Sequence, residues 1–273
     1  MVIPGDFREW LDLVLRWFHV IAGISWIGQT YLFNWMERAM TPPDDQAKKN
    51  ISGELWMVHG GGFYLVEKQK WPEIMPHALH WFKWEAALTW MSGVMLLGIV
   101  YWAGAPLLDY GSDTSRSMGI ALSIGYLVAG WILYDALWTT PLKKNEPLGA
   151  ALCWVLILAS AYGLSHFLSW RAVYLHIGAM FGTIMVANVW MRILPSQRKI
   201  IAIAKAGGPP DQSLAERARR CSKHNTFMSV PLIFLMISNH YPAATYGGNW
   251  NLMALAVLIP IGWIAAKIIR DWT

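Results

Sequence analysis

Apolar runs of about 20 residues recur along this chain, and that is the length an α-helix needs to cross the hydrocarbon core of a bilayer. The first, residues 13–38, reads LVLRWFHVIAGISWIGQTYLFNWMER. Seven spans are expected, at approximately 11–36, 80–102, 117–138, 148–167, 172–193, 225–240 and 250–269. Inside lipid a backbone polar group finds no water, so a spanning segment must satisfy its own hydrogen bonds, most simply as a helix. The expected fold class is therefore all-α: a polytopic transmembrane helix bundle forming one integral membrane domain over 1–273. Composition agrees, with 55% hydrophobic and 14% charged residues. The 18 Trp and 10 Tyr also suit a membrane protein, because such rings gather at bilayer interfaces. The sixth run is short and holds Pro231, so a kink is expected there.

The basic residues orient the bundle. Of 22 Lys and Arg, 17 fall in the connections after odd-numbered spans, and only Arg116 and Arg171 in those after even-numbered ones. Basic connections stay on the cytoplasmic side, which puts the N-terminus outside and the C-terminus inside. Topology thus explains a pI near 9.2 better than nucleic-acid binding does, and no nucleic-acid partner is expected. The N-terminus MVIPGDFREW does not read as a cleavable signal peptide. Neither Cys153 nor Cys221 suggests a disulfide, and without a C-x-x-C-H motif no c-type haem attaches to these residues.

Histidines inside apolar spans carry the first functional signal. His19, Gly23, Trp26 and Thr30 share one face of span one, and Ala22, Gly23, Ser25 and Gly28 leave that region small. Such a histidine could ligate a haem b, or it could bond a neighbouring helix packed closely against the small residues. His176 lies at similar depth in span five, with Ala179, Thr183 and Ala187 on its face. His19 and His176 are therefore the expected axial pair. His240 and His166 lie further out, where either could replace one ligand or simply meet the interface.

A second polar layer is expected at the inner end. His59, His77, His80 and His224 lie in or beside inner connections; Lys83 and Glu85 open span two; Asp135 and Asn188 lie in the inner parts of spans three and five. His80 and Lys83, three apart, are expected to share a helix face. The run His59-Gly60-Gly61-Gly62-Phe63-Tyr64 could turn backbone N–H groups toward an anion and offer rings for stacking, or be a plain turn. Read together, these residues suggest a substrate vestibule or a second metal or haem site, with Glu85 or His80 as general base. Inner-end charges can also do no more than snorkel to the interface.

Four stretches resemble the membrane-bound, cytochrome-linked urate oxidases: RWFHVIAGISWIGQTYLFNWMER (16–38), LWMVHGGGFYLVEKQK (55–70), HALHWFKWEAALTWMSG (77–93) and HNTFMSVPLIFLMISNHYP (224–242). The resemblance implies a multi-pass domain of the bacterial inner membrane that oxidises urate to 5-hydroxyisourate and passes electrons through haem to a cytochrome c. Within that activity, the inner polar cluster makes His80, Glu85 and Lys83 the expected catalytic residues. The expected substrate contacts are His59, Gly60, Gly61, Gly62, Tyr64, His224 and Asn225, and the expected cofactor ligands are His19, His176 or His240. In that family a last span and a cytochrome c domain usually follow. Here the residues end at Thr273, so haem c is expected on a partner or a further segment.

Span one also resembles the small haem-binding protoporphyrinogen oxidases of bacteria, which pair a first-helix histidine with a basic residue of the second helix, here His19 and Lys83. The depth of His19 argues against direct pairing. A non-enzymatic alternative is a transporter or metal-binding membrane protein with histidines along a path. A Soret band distinguishes the haem reading from that one.

Overall fold

A computed structural model of the chain describes residues 5–44, 48–72 and 78–272. Helix α1, Gly5–Ala39, holds the first run and continues past it. Helix α2, Trp84–Leu96, passes into a π-helical turn at Leu97–Trp102. Helices α3, Arg116–Thr139, and α4, Glu146–Leu164, follow. Helix α5, Trp170–Ala187, runs through a second π-helical turn, Asn188–Ile193, into α6, Leu194–Lys205. Helices α7, Gln212–Ile237, and α8, Asn251–Trp272, complete the bundle. Six of these helical stretches, all but α7, are long and apolar enough to cross a membrane.

The helix starts are written locally. Ser115, Asn145, Ser169 and Asp211 are N-caps, each accepting from the backbone N–H of the first turn it precedes. Gly207, at φ 69°, turns the chain between α6 and α7. The 194–223 connection is thereby almost wholly helical, and the expected sixth span is the second half of α7. That helix begins with the charged stretch containing Arg217, Arg219, Arg220 and Lys223.

Helix α5 is the centre of the bundle. Eleven of its 18 residues are buried, whereas α1, α3 and α4 expose most of theirs. It packs on α2, α3, α4 and α7, while α1 lies against α2 and α8 against α4 and α7. Many side chains outside the core are large and apolar, such as Trp17, Ile24, Ile132 and Ile264, as expected of a surface that faces lipid.

Two expectations need correction. The all-α reading omitted an antiparallel hairpin: β1, Ile51–His59, pairs with β2, Gly62–Gln69. Its turn is Gly60-Gly61, at φ 58° and 79°; positive φ at both central positions suits the strand twist and favours glycine. Helix α2 begins at Trp84 rather than 80, so His80 and Lys83 do not share a helix face. Lys83 is the N-cap residue but makes no side-chain cap.

Candidate active site

The expected inner cluster divides in the structure. A cavity of about 520 Å³ lies between α1, β2, the segment before α2, the start of α6, and α7. Its size falls in the range of small-molecule sites. His80 and Asn225 line it; His59, Gly60, Gly61, Gly62, Tyr64, Lys83, Glu85 and His224 do not. The three glycines close the hairpin instead, with His59 paired to Gly62. His77 lies outside the described residues.

The lining has two chemical characters. Trp26, Phe33, Trp81 and Phe82 supply aromatic surface, with Phe33 and Phe82 edge to face at 5.0 Å. His80 meets Phe82 at 4.9 Å and makes no hydrogen bond among the described residues. Gln29 and Gln197 also line the cavity and make no side-chain hydrogen bond among the described residues. Asn34 donates to Thr226 Oγ1 at 3.2 Å, leaving its carbonyl oxygen available. An amide offers both donors and an acceptor, so these groups can match a heterocycle whose rim carries both. At the hairpin side, Lys68 pairs with Glu37, tying β2 to α1.

Behind Asn225 runs a chain of polar groups. Asn225 donates to the Met185 carbonyl at 3.0 Å and accepts from Asn188 Nδ2 at 2.9 Å. Asn188 also donates to Tyr134 Oη at 3.0 Å, and Tyr134 meets His224 Nδ1 at 2.7 Å. His224 is thus connected to the cavity through three side chains without lining it. Asn188 begins the second π-helical turn, a feature often found where a helix departs from regularity for function.

The remaining expected residues sit elsewhere. Lys83 lies over the rings of Trp84 and Trp190, at 5.3 and 5.6 Å from their centroids. Glu85 keeps one buried carboxylate oxygen without a partner among the described residues. Asp135 is paired with Arg192 through Nε at 2.7 Å and through Nη2.

The histidines expected to hold haem differ from one another. His19 Nδ1 lies 2.9 Å from the Thr89 carbonyl and 3.0 Å from Ser92 Oγ. A carbonyl only accepts, so Nδ1 carries the proton and Nε2 keeps its lone pair. Metal-binding imidazoles are oriented in this way. Gly93 permits the approach: a Cβ there would stand 3.1 Å from His19 Cε1. The contact also fulfils the helix-packing alternative. It lies well along α2 from Lys83, against direct pairing of the two.

His176 is fully buried. Its Nδ1 donates to the Ala172 carbonyl at 2.7 Å, so Nε2 accepts from Ser123 Oγ at 2.6 Å. Trp102 Nε1 donates to the same Ser123 oxygen at 2.8 Å. Both His176 nitrogens are therefore used inside the protein. The lone pair left at His19 Nε2 is a donor of the kind a haem iron takes; at His176 such a metal would have to displace Ser123. His240 is exposed and makes no hydrogen bond among the described residues, while His166 bonds the Tyr162 carbonyl at 2.8 Å. No group of three or more His, Cys, Asp or Glu suited to a metal occurs among the described residues.

Sequence reasoning missed Gln29, Asn34, Gln197 and Lys68. The first two had a signal: with Thr30 they form a polar stretch inside an apolar span, which is costly unless used. Gln197 and Lys68 enter only through the fold of α6 and the hairpin.

Fold and site together describe a helical bundle with an amide-lined, aromatic-walled cavity at its basic end. The urate oxidase N-terminal family model matches residues 5–272, and the chain belongs to that family. Comparison with curated proteins and with solved structures finds no match.

Proposed function

We propose that the chain is the membrane domain of a cytochrome-linked urate oxidase and that urate binds in the cavity containing His80 and Asn225. The observation that carries this reading is the lining: amides at Gln29 and Gln197 and a carbonyl at Asn34 that have no partner among the described residues, and His80, set among aromatic rings. Urate is a planar purine whose rim alternates N–H donors and carbonyl acceptors. The amides read that rim, and the rings offer stacking surface.

Oxidation adds the oxygen of one water to urate and releases two protons and two electrons, giving 5-hydroxyisourate. His80 is the proposed base, because it lines the cavity and neither ring nitrogen has a partner among the described residues. Glu85 is the second candidate, on the strength of its unpartnered oxygen. The Asn188–Tyr134–His224 chain holds Asn225 in position. Lys68 is matched by Glu37, so the positive charge near this end comes from Lys83, which makes no ion pair among the described residues and favours an anionic purine.

When bound, a haem b supplies one-electron transfer between urate and a cytochrome c partner. His19 is the proposed ligand through Nε2, with His240 as the second, or His176 were it to release Ser123. The proposed setting is a bacterial inner membrane, with α7 as a seventh span and the basic end inside.

Urate binding to the detergent-purified chain tests the site. Gln29→Leu and Gln197→Leu should each weaken binding about tenfold or more, since each leaves substrate polar groups unpaired. Unchanged affinity in both would remove the cavity as the urate site.

A further inference from the structure

A second pocket, of about 310 Å³, opens at the same end of the bundle, between the α3–α4 turn, the start of α4, α7 and the end of α8. Five cations line it, Lys143, Arg219, Arg220, Lys223 and Arg270, with two carboxylates, Glu146 and Glu216, leaving a formal charge of +3. Lys223 is neutralised by its pair with Glu146. The other four cations make no ion pair among the described residues. They converge from three elements distant in sequence, so the charge is built by the fold rather than by one basic run.

The surroundings say what kind of anion fits. Helices α4 and α8 run away from the pocket side by side, joined where Trp154 Nε1 donates to the Ala256 carbonyl at 3.1 Å. Near the pocket they expose apolar side chains: Leu148 and Leu152 on α4, Ile264 and Ile268 on α8. A cationic pocket at the head of two adjacent helices that expose apolar side chains matches a molecule with an anionic head and hydrocarbon tails.

We propose that this pocket binds the phosphate of an anionic phospholipid, its acyl chains lying along α4 and α8. The proposal rests on the membrane reading given above, and fractionation separates the two. If the chain is released from membranes by alkaline carbonate, the membrane reading fails and this proposal with it.

For chain retained in membranes, the detergent-purified protein is titrated with dioleoylphosphatidylglycerol, dioleoylphosphatidylcholine or inorganic phosphate, and bound molecules are counted by native mass spectrometry. One phosphatidylglycerol should bind about tenfold or more tighter than phosphatidylcholine. Arg219→Gln/Arg270→Gln should abolish that preference while leaving helical content unchanged. Should the double variant fail to fold, exposed Arg219→Gln alone should reduce the preference. Equal affinity for the two lipids overturns the proposal, as does a preference that persists in a folded variant. Inorganic phosphate binding as tightly as phosphatidylglycerol would make this a free-anion site and also overturn it.

Discussion

Ser123→Ala tests the core around α5. Ser123 is fully buried and completes a directional chain: Trp102 donates to its oxygen, its hydroxyl donates to His176 Nε2, and His176 donates onward to the Ala172 carbonyl. Alanine removes the middle of that chain. The Trp102 N–H and the His176 lone pair each lose a partner, at about 1–3 kcal/mol per unsatisfied buried group. The expected loss is about 2–6 kcal/mol, read as a lower unfolding midpoint of the detergent-purified protein by tryptophan fluorescence. In a double-mutant cycle with His176→Leu, the two substitutions should couple by about 1 kcal/mol or more. A loss under about 0.5 kcal/mol with no coupling would refute the reasoning. That result is expected if His176 Nε2 is bound to a haem iron and Ser123 is not its partner.

Three further outcomes are expected. His19→Ala should remove most of any haem b signal, and Gly93→Ala should weaken it by pressing on the ring; reduced-minus-oxidised spectra measure both. A reporter fused after Trp272 should be active only in the cytoplasm, and periplasmic activity would reverse the orientation. The hairpin should loosen in acid: Lys48 hydrogen-bonds Glu67 at 2.7 Å and holds that carboxyl below its ordinary value of 4.5. A depressed carboxyl contributes its stabilisation above the unfolded pKa and loses it as pH falls through the folded one. Hydrogen-exchange protection across 54–66, after correction for the intrinsic pH dependence of exchange, should therefore fall below about pH 4.5 and stay flat between pH 6 and 8.

The spans were legible because an apolar run of helix length leaves few alternatives, and six expected spans correspond to long apolar helices. The hairpin was hidden because Trp56, Val58, Phe63 and Leu65 form apolar cross-strand pairs on an exposed face, where a core-facing alternation would have been the signal. The GGG run was legible as a turn; only the fold shows that it lies apart from the cavity lining. His80 and Asn225 were found as polar residues near one end, yet their neighbours Gln197 and Lys68 come together only when α6 and β2 close the cavity. His19 and His176 were alike in sequence and differ in packing. Ser123 and Trp102 determine that difference, and neither carries a marker in one sequence.

The central claim, that His80 serves urate oxidation in this cavity, is tested most directly by urate-dependent reduction of added cytochrome c. Membranes carrying the chain should reduce two equivalents of cytochrome c for each urate consumed. Membranes carrying His80→Ala should lose activity about 10²-fold or more while retaining the protein and any haem spectrum. Urate-dependent reduction undiminished by His80→Ala would contradict the account.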